Sequence, residues 1–343
     1  MSLRYPAPLQ PGDRIGVTAP SSGVPAALRG RLDLAVEHLR ERGYDVVVGG
    51  AWTGSGLSAP RPGSEPMNWA VCWPTLTSVP SYLPGGGELA VEVLSHLDWD
   101  ALSVAEPTWL IGYSDISTLL LPLTTLTGTA TVHGQNLMDT PYRVPVPLLS
   151  WLDVITRPAG TRLSQGAATH HRATGFDRWD DDPTPTEFTL DTPGTWQLLD
   201  PGMGDVQVSG RLIGGCIETV SVLAGTPYGD LPTFAAEHAA EGLIVYVEAS
   251  GDAAPDIARD LWRLRLAGWF DRANAVLVGR TRAPDGAGFS QVDAVYSALA
   301  GIDIPVVLDV DCGHVPPHLA LVNGALAHLT MTSGTKKLDQ VLD

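Results

Sequence analysis

Residues 14–49 read RIGVTAPSSGVPAALRGRLDLAVEHLRERGYDVVVG, and this stretch decides the fold. Its first apolar run, IGVTA, is typical of a short buried strand, which Pro20 would end. The second apolar run, YDVVVGG, indicates another strand. Between the two runs, apolar residues recur at helical spacing: Leu28, Leu32, Ala35 and Leu39. Strand, helix and strand joined by short connections predict a parallel α/β sheet.

The same alternation continues to about residue 145. Helices are predicted over GELAVEVLSHLDWDAL (87–102) and ISTLLLPLTTLTG (116–128). Between them, PTWLIGYSD (107–115) indicates a strand running into a turn, and TATVHGQN (129–136) indicates a further short strand. We therefore predict an N-terminal α/β domain over residues 1–145.

Residues 146–204 differ in composition from both flanks. Pro, Gly, Asp and Thr dominate here, as in RWDDDPTPTEF, which predicts a linker with an inserted loop rather than a core element. Beyond it, apolar runs such as GLIVYVEAS and ANAVLVGRT alternate with helical patterns again. They predict a second α/β domain over residues 205–330, and the final GTKKLDQVLD is interpreted as a short terminal helix.

The composition indicates a folded protein that acts on a small molecule. Of 343 residues, 44% are hydrophobic and 17% are charged, and the formal net charge is −17. Binding to nucleic acid or to an anionic membrane requires Lys and Arg against phosphate, so we expect neither partner. The start, MSLRYPAPLQPGD, has no basic region followed by an apolar stretch, and no window approaches about eighteen consecutive apolar residues. We therefore expect a soluble protein that is not exported.

The cysteines and histidines favour a reducing compartment without a metal centre. Cys72, Cys216 and Cys312 form no CxxC motif and leave one cysteine unpaired in any disulfide scheme. We expect a cytoplasmic protein with no structural zinc and no cofactor. The pair His170-His171 and the aspartates at 180–182 lie in the flexible linker, so we interpret them as a solvated loop rather than as metal ligands.

Three polar residues follow predicted strands, where α/β proteins build their sites. Ser114 lies in WLIGYSDIS between a strand and a helix, where backbone N–H groups would face a developing negative charge. Glu248 follows LIVYV, and His314 lies beyond VVLDV in a loop rich in Gly and Pro. Together they would suffice for acyl transfer. Ser114 also has a structural explanation as a helix cap, and Glu248 as a solvated turn residue or a cap, and the spacing does not show that the three meet.

The motifs, taken in order, resemble those of the LD-carboxypeptidase family across nearly the whole chain. Those that carry the resemblance are DRIGVTAPSS, the dyad Gly86-Gly87, GYSD, the HG of TVHGQN, GRLIGG, EAS and DCGH. The resemblance implies two α/β domains, an N-terminal flavodoxin-like parallel sheet and a C-terminal domain of the swivelling type. It also implies a serine peptidase without a cofactor, and a homodimer.

The resemblance assigns roles to individual residues. Ser114 would be the nucleophile, His314 the base and Glu248 the carboxylate that orients the base. The backbone N–H of Asp115, with that of Gly86 or Gly87, would form the oxyanion hole, whose donors each typically give about 10²–10³ in rate.

One segment, residues 61–85, does not fit this fold. It has no amphipathic period and is interrupted by several prolines, where a doubly wound domain requires a helix and a strand. Back-translation read from the third base of each codon gives AGQRADELGRLLADPDVRAVVPPWGG, which has the pattern of helix, turn, strand and glycine turn. The hypothesis is a compensated frameshift, and the alternative is a genuine but unusual loop.

Two tryptophans in the linker are relevant to the choice of substrate class. Trp179 and Trp196 either pack the loop against its own domain or form a platform for a planar substrate group. Longer members of the resembled family, of the microcin C immunity branch, carry a tryptophan-bearing insertion here that contacts a nucleotide. The long linker favours that branch and hydrolysis of an amide in a peptidyl or aminoacyl nucleotide. Alternatives are a murein tetrapeptide LD-carboxypeptidase and a binding relic that has lost catalysis.

Overall fold

The structure is a computed structural model that describes residues 3–21, 23–49, 75–76 and 89–343. The segment 61–85, for which a frameshift is one hypothesis, lies outside the described residues, apart from a two-residue strand at Thr75–Leu76. Gly86 and Gly87 also lie outside them. Within the described ranges, no helix is long and apolar enough to cross a membrane.

The first strand-helix-strand unit is present as predicted. Strand β1 (Arg14–Thr18) leads through α1 (Arg29–Glu41) to β2 (Asp45–Val48). β1 pairs in parallel with β2 and with β3 (Thr75–Leu76). Of the residues whose spacing predicted α1, the helix buries Leu32, Ala35 and Leu39, and Leu28 is buried directly before it, in a cluster that also contains β1 side chains.

A second small sheet carries the serine loop. Strand β4 (Ile111–Gly112) leads through α3 (Ser117–Thr127) to β5 (Thr131–His133), and the two strands pair in parallel. β5 also pairs in antiparallel fashion with β14 (Leu321–Asn323), a strand from the C-terminal part of the chain. The two predicted domains are therefore joined by strand pairing as well as by the linker.

The predicted helix over 87–102 is shorter and less regular than expected. The described part of it consists of a 3₁₀ helix, Ala90–His96, followed by the short helix α2 (Trp99–Val104). Asp98 caps the second, because its side chain accepts a hydrogen bond from the backbone N–H of Ala101.

The largest sheet has eight strands in the order β6-β16-β15-β10-β11-β12-β13-β9. Its parallel centre runs from β10 to β13, and β15, β16, β6 and β9 pair in antiparallel fashion at its two sides. The strands are β6 (Arg162–Gly166), β9 (Gln197–Leu198), β10 (Val206–Cys216), β11 (Leu243–Glu248), β12 (Ala273–Gly279), β13 (Val306–Val310), β15 (Leu326–Met331) and β16 (Lys336–Val341). The remaining elements are α4 (Trp151–Ile155), the pair β7 (His170–His171) and β8 (Thr192–Pro193), α5 (Ile217–Leu223), α6 (Leu231–His238), α7 (Ala254–Leu266) and α8 (Gln291–Leu299).

The structure corrects two expectations about this sheet. The last residues form strand β16 rather than a helix, because pairing with β15 outweighs a weak local helix propensity. Residues 146–204 are not merely a linker, since they supply β6 and β9 at opposite edges of the sheet. The predicted boundary between the linker, 146–204, and the second α/β domain, 205–330, therefore lies within a single sheet.

Close packing brings the serine loop onto the large sheet. The backbone N–H of Cys216, at the end of β10, donates to Ser117 Oγ at 3.0 Å. A Cβ on Gly215 would lie 2.7 Å from the Cβ of Ser117, so only glycine allows this approach. The GG of GRLIGG thus places the first turn of α3 against the strand ends that carry Glu248 and His314.

Candidate active site

Ser114 lies on a strained turn between β4 and α3. Its φ is +64°, a left-handed conformation that few non-glycine residues adopt. Such strain is typical of the sharp strand-to-helix turn that exposes a nucleophilic serine. A short 3₁₀ helix, Ser114–Ile116, follows directly and leads into α3.

The structure brings together Ser114, His314 and Glu248. His314 Nε2 lies 3.0 Å from Ser114 Oγ, and His314 Nδ1 lies 2.8 Å from Glu248 Oε2. All three residues are at least nine-tenths buried. Because Glu248 accepts from Nδ1, the ring presents Nε2 to the hydroxyl as a hydrogen-bond acceptor.

The charges of Glu248 and His314 stabilise each other. Burial alone would raise the pKa of Glu248, but the charge of His314 and the contacts with His133 and His314 hold that pKa well below its usual range. Burial alone would lower the pKa of His314, but the Glu248 carboxylate raises it above its ordinary value. Glu248 is therefore ionised and favours the protonated form of the imidazole.

Two neighbours, His133 and Gly313, lie close to the Glu248 carboxylate. His133, at the end of β5, lies with Nε2 3.6 Å from Glu248 Oε1, which is longer than a hydrogen bond. Gly313 has φ +93°, and a Cβ there would lie 2.2 Å from Glu248 Oε2. The glycine of DCGH is thus required for His314 to approach the carboxylate.

The carboxylate of Asp115 ties the serine loop to its neighbours. It accepts from Ser21 Oγ at 2.5 Å and from the backbone N–H of Ala90 at 2.9 Å. Burial raises its pKa, and these hydrogen bonds oppose that rise. The contribution of the Asp115 backbone N–H to an oxyanion hole stays a prediction, because the partner glycines at 86–87 lie outside the described residues.

An aromatic cavity of about 430 Å³ opens beside His314. Its walls include Tyr113, Tyr142, Phe176, Trp179 and Phe188. Phe176 is 53% exposed. Its ring was not singled out from the sequence, although it lies in the same insertion as the tryptophans.

Trp179 lines this cavity, but it is also part of a packed stack. Its indole N–H donates to the Tyr142 hydroxyl at 2.9 Å. The guanidinium of Arg31 lies 4.8 Å from the Trp179 ring and 4.6 Å from the Tyr142 ring. Phe188 stacks on Tyr142 at 4.2 Å. One face of Trp179 therefore packs against a cation, and the residue is also part of the cavity lining.

The position of Trp196 does not support the predicted contact with substrate. The ring is fully buried in the core of the large sheet, and its N–H donates to Asp311 Oδ2 at 2.8 Å. Asp311 also pairs with Arg280 at 2.6 Å. Trp196 therefore anchors the insertion to the DCGH loop, because an indole with a buried partner packs more favourably than one exposed in a polar loop.

The buried thiols lie beside the site without joining the hydrogen-bonded series. Burial raises the pKa values of Cys216 and Cys312 well above the usual thiol range, so neither is a reactive thiolate. Ligand atoms of Cys216, Glu248 and His314 lie within 4.8 Å of one another. Cys216 Sγ lies 3.1 Å from Glu218, and Glu248 and His314 bind each other, so the absence of a metal remains a prediction.

Fold and site together define a class of protein. A serine on a strained turn, an imidazole and an ionised carboxylate in hydrogen-bonded series, within an α/β architecture, are the features of a serine hydrolase.

Comparison with known proteins assigns the family. Residues 15–134 match the LD-carboxypeptidase N-terminal domain, and residues 209–329 match the LD-carboxypeptidase C-terminal domain. The chain belongs to the LD-carboxypeptidase family and is a hydrolase of the serine carboxypeptidase type.

Three relatives with names are similar to this chain over most of its length. A Vibrio cholerae protein named as a carboxypeptidase is 26% identical over 98% of both chains. The microcin C7 self-immunity protein of Escherichia coli is 29% identical over 93% of this chain and 90% of its own. The murein tetrapeptide carboxypeptidase of Pseudomonas aeruginosa is 26% identical over 77% of this chain and 76% of its own.

Solved structures confirm the two-domain α/β fold. A protein from Bacillus anthracis similar to the microcin immunity protein superposes with a TM-score of 0.78 at 20% identity, over 99% of this chain and 100% of its own. The microcin C7 self-immunity protein bound to adenosine monophosphate superposes with a TM-score of 0.76, and its complex with aspartyl sulfamoyl adenosine with 0.73. Both are 22% identical over 98% of both chains.

Proposed function

We propose that Ser114, His314 and Glu248 form a catalytic triad that hydrolyses an amide in a peptidyl or aminoacyl nucleotide. The observation that carries the proposal is the hydrogen-bonded series itself, 3.0 Å from serine to imidazole and 2.8 Å from imidazole to carboxylate. These distances match those of an activated serine and its base, about 2.6–3.2 Å.

The residues divide the reaction into two steps. His314 Nε2 takes the Ser114 proton as Oγ attacks the carbonyl carbon, and it then gives that proton to the leaving nitrogen, which departs as the amine. A water molecule next attacks the acyl-serine, again losing its proton to Nε2. The acid is released and the proton returns to Ser114. Glu248 stabilises the imidazolium in both steps without itself taking the proton.

The aromatic cavity favours a substrate whose leaving group is planar. Phe176, which is exposed, lines it, and so does the buried Trp179. Stacking of a base on an aromatic ring is worth about 1–3 kcal/mol. The microcin immunity protein, which has been solved with nucleotide ligands, matches more of this chain than the murein enzyme does.

Release of a terminal D-amino acid from a murein tetrapeptide is the alternative. The Pseudomonas relative carries that name, and the catalytic step would be the same. For either substrate, we also propose that the protein is a homodimer and acts in the cytoplasm. Sedimentation of the purified protein and fractionation of cells test these two points.

A substrate panel tests the proposal. Purified protein is assayed with an aspartyl nucleotide amide and a murein tetrapeptide, each with and without EDTA. We expect faster release from the nucleotide substrate, complete loss with Ser114→Ala, and no effect of the chelator. Inhibition by EDTA would point to a metallohydrolase, and turnover of the murein peptide alone would establish the alternative.

A further inference from the structure

Glu218 lies two residues after the end of β10, in the first turn of α5. The parallel pairing of β10 with β11 ends where Cys216 lies opposite Glu248. Beyond these two residues, the side chain of Glu218 reaches the turn that follows Glu248 on the neighbouring strand. The contact between the two strand ends therefore continues past the last paired residues through a single side chain.

One carboxylate oxygen of Glu218 accepts four hydrogen bonds from that turn. Its Oε1 accepts from the backbone N–H groups of Ser250 at 2.7 Å, Gly251 at 3.0 Å and Asp252 at 3.3 Å. It also accepts from Ser250 Oγ at 3.1 Å. Successive backbone N–H groups that converge on one point form a concave site for an anion. In this protein, the anion that the turn 250–252 encloses is the Glu218 carboxylate.

The other oxygen of Glu218 lies on the side of the triad. The Cys216 thiol donates to Glu218 Oε2 at 3.1 Å, and Cys216 Sγ lies within 4.8 Å of ligand atoms of Glu248 and His314. Burial lowers the pKa of His314 and the Glu248 carboxylate raises it, and Glu218 also raises it, to a smaller extent. Glu218 is therefore held at both oxygens, close enough for its charge to act on the imidazole.

Glu248 depends on its backbone for its position. Its Oε2 is bonded to His314, but its Oε1 has no hydrogen-bond partner among the described residues, and the side chain is fully buried. One hydrogen bond does not fix the direction of a carboxylate, which can accept several. After β11 ends, Thr281 Oγ1 donates to the carbonyl of Ala249 at 3.1 Å, and Glu218 holds the next three residues.

We propose that Glu218 is a positioning residue for the reaction. By holding the turn 250–252, it keeps the end of β11 in place, and Glu248 is thereby kept in position to orient His314. Glu218 is not part of the lining of the aromatic cavity among the described residues, so it acts through Glu248 rather than on the substrate. The inference rests on the proposed function in taking Ser114, His314 and Glu248 as a triad, and it applies to either substrate class.

A purely structural role for Glu218 makes a different prediction. In that case the carboxylate would satisfy the N–H groups of the turn and stabilise the fold, with no specific effect on Glu248. A positioning residue has little further effect once the carboxylate that it positions has been removed. A structural contribution persists in that background, so a double-mutant cycle between Glu218 and Glu248 separates the two roles.

Reaction of Ser114 with a fluorophosphonate measures serine activation without any choice of substrate. Oγ bonds to phosphorus as fluoride leaves, and the Oγ proton passes to His314. The rate is followed by the mass of the intact protein, on the plateau of the pH profile, so that a change in the pKa of His314 does not enter. Glu218→Ala should react roughly tenfold more slowly, because a charged acceptor of several hydrogen bonds is lost.

Two conservative variants and one control define what Glu218 contributes. Glu218→Gln should recover most of the rate, since its carboxamide oxygen can still accept the N–H groups. Glu218→Asp keeps the charge but is one methylene too short to reach the turn, so it should be as slow as Glu218→Ala. The control is Glu37→Ala, which removes an exposed glutamate of α1 and should leave the rate unchanged.

The double variant decides between the roles. When either slow substitution of Glu218 is added to Glu248→Gln, we expect little further loss of rate. The same fold loss in both backgrounds would assign Glu218 to the fold alone and overturn the inference. Melting temperatures show that each variant is folded at the assay temperature, and Glu218→Asp takes the place of Glu218→Ala in the cycle if only the former is folded.

The outcomes also distinguish this inference from the proposed function. If the fluorophosphonate does not label Ser114 in the unsubstituted protein, both the triad and the inference are overturned. Labelling that neither Glu218→Ala nor Glu218→Asp slows overturns the inference alone. The expected pattern of labelling, without turnover of the nucleotide amide or the murein peptide, supports the inference and overturns only the proposed substrate class.

Discussion

At the scale of single residues, the raised pKa of His314 decides the pH range of activity. The base must be neutral to accept the serine proton, so activity is lost as pH falls through the pKa of the imidazole. Burial works against protonation, but the Glu248 carboxylate at 2.8 Å more than compensates. The acid limb of kcat/KM should therefore lie above the ordinary imidazole value of 6.5.

Glu248→Gln tests this assignment. Removing the carboxylate charge removes the cause of the raised pKa, so the acid limb should move to lower pH. At the same time kcat should fall by about 10²–10⁴, because the imidazolium is no longer stabilised. The full pH profile of both proteins is the measurement. An unmoved limb would mean that another group controls it.

Ser114 and His314 should behave as one unit. Ser114→Ala and His314→Ala should each reduce kcat to nearly the level of the double variant, since neither residue acts without the other. Glu248→Gln should be milder than either. Single-turnover kinetics of the four variants measure the effect, and circular dichroism checks the fold. Losses that add in free energy would contradict the shared hydrogen-bonded series.

Sequence alone could locate some of these residues but not their partners. Ser114, Glu248 and His314 each follow an apolar run, and the order of motifs resembled that of the family, so all three could be named. His133 lies in TVHGQN, whose HG belongs to the family pattern. Its proximity to Glu248 and to the serine loop depends on the pairing of β5 with β4, which local sequence does not encode.

At the scale of elements, the insertion over 146–204 has two separate roles. One part lines the aromatic cavity through Phe176 and Trp179. Another part, at Trp196, enters the core and donates to Asp311, three residues before His314. The composition of this segment predicted a solvated loop because Pro, Gly and Asp are typical of loops. The burial of Trp179 and Trp196 contradicts that expectation, but the sequence alone does not show which residues they pack against.

Substitutions in the insertion should distinguish these roles. Trp179→Ala and Phe176→Ala should weaken nucleotide substrates by roughly tenfold, since stacking is lost, and should barely affect murein peptides. Trp196→Phe keeps the packing but loses the hydrogen bond to Asp311. It should lower kcat on both substrates with little change in KM, because it loosens the loop that carries the base. Equal losses on both substrates for Trp179→Ala would assign that residue to packing alone.

At the scale of the whole molecule, fold class was easier to predict than the connection between the domains. Alternating apolar runs and helical spacing identified most strands and helices of both halves. The strand β14, which leaves the C-terminal region to pair with β5, was not predicted, because pairing across 188 or more residues has no local signal. The final strand β16 was missed for a different reason, since its pairing with the neighbouring strand β15 across a short turn outweighs its helical composition.

Residues 61–85 show no sequence pattern of the helix and strand that a doubly wound domain requires, although the structure places the two-residue strand β3 there. If the frame is shifted in the gene or its reading, replacing residues 62–87 by AGQRADELGRLLADPDVRAVVPPWGG, which ends on the same two glycines, should raise both the melting temperature and kcat. The restored helix would bury apolar surface at about 25 cal/mol per Å², and the restored turn would support the neighbouring glycines at 86–87. The mass of the peptide spanning this region, taken from the native organism, gives an independent answer. A mass that matches the printed sequence, together with a restored variant no more stable or active than the printed one, would establish a genuine loop. Ligand binding without turnover in the printed protein, with turnover in the restored one, would instead identify the printed chain as an impaired relic.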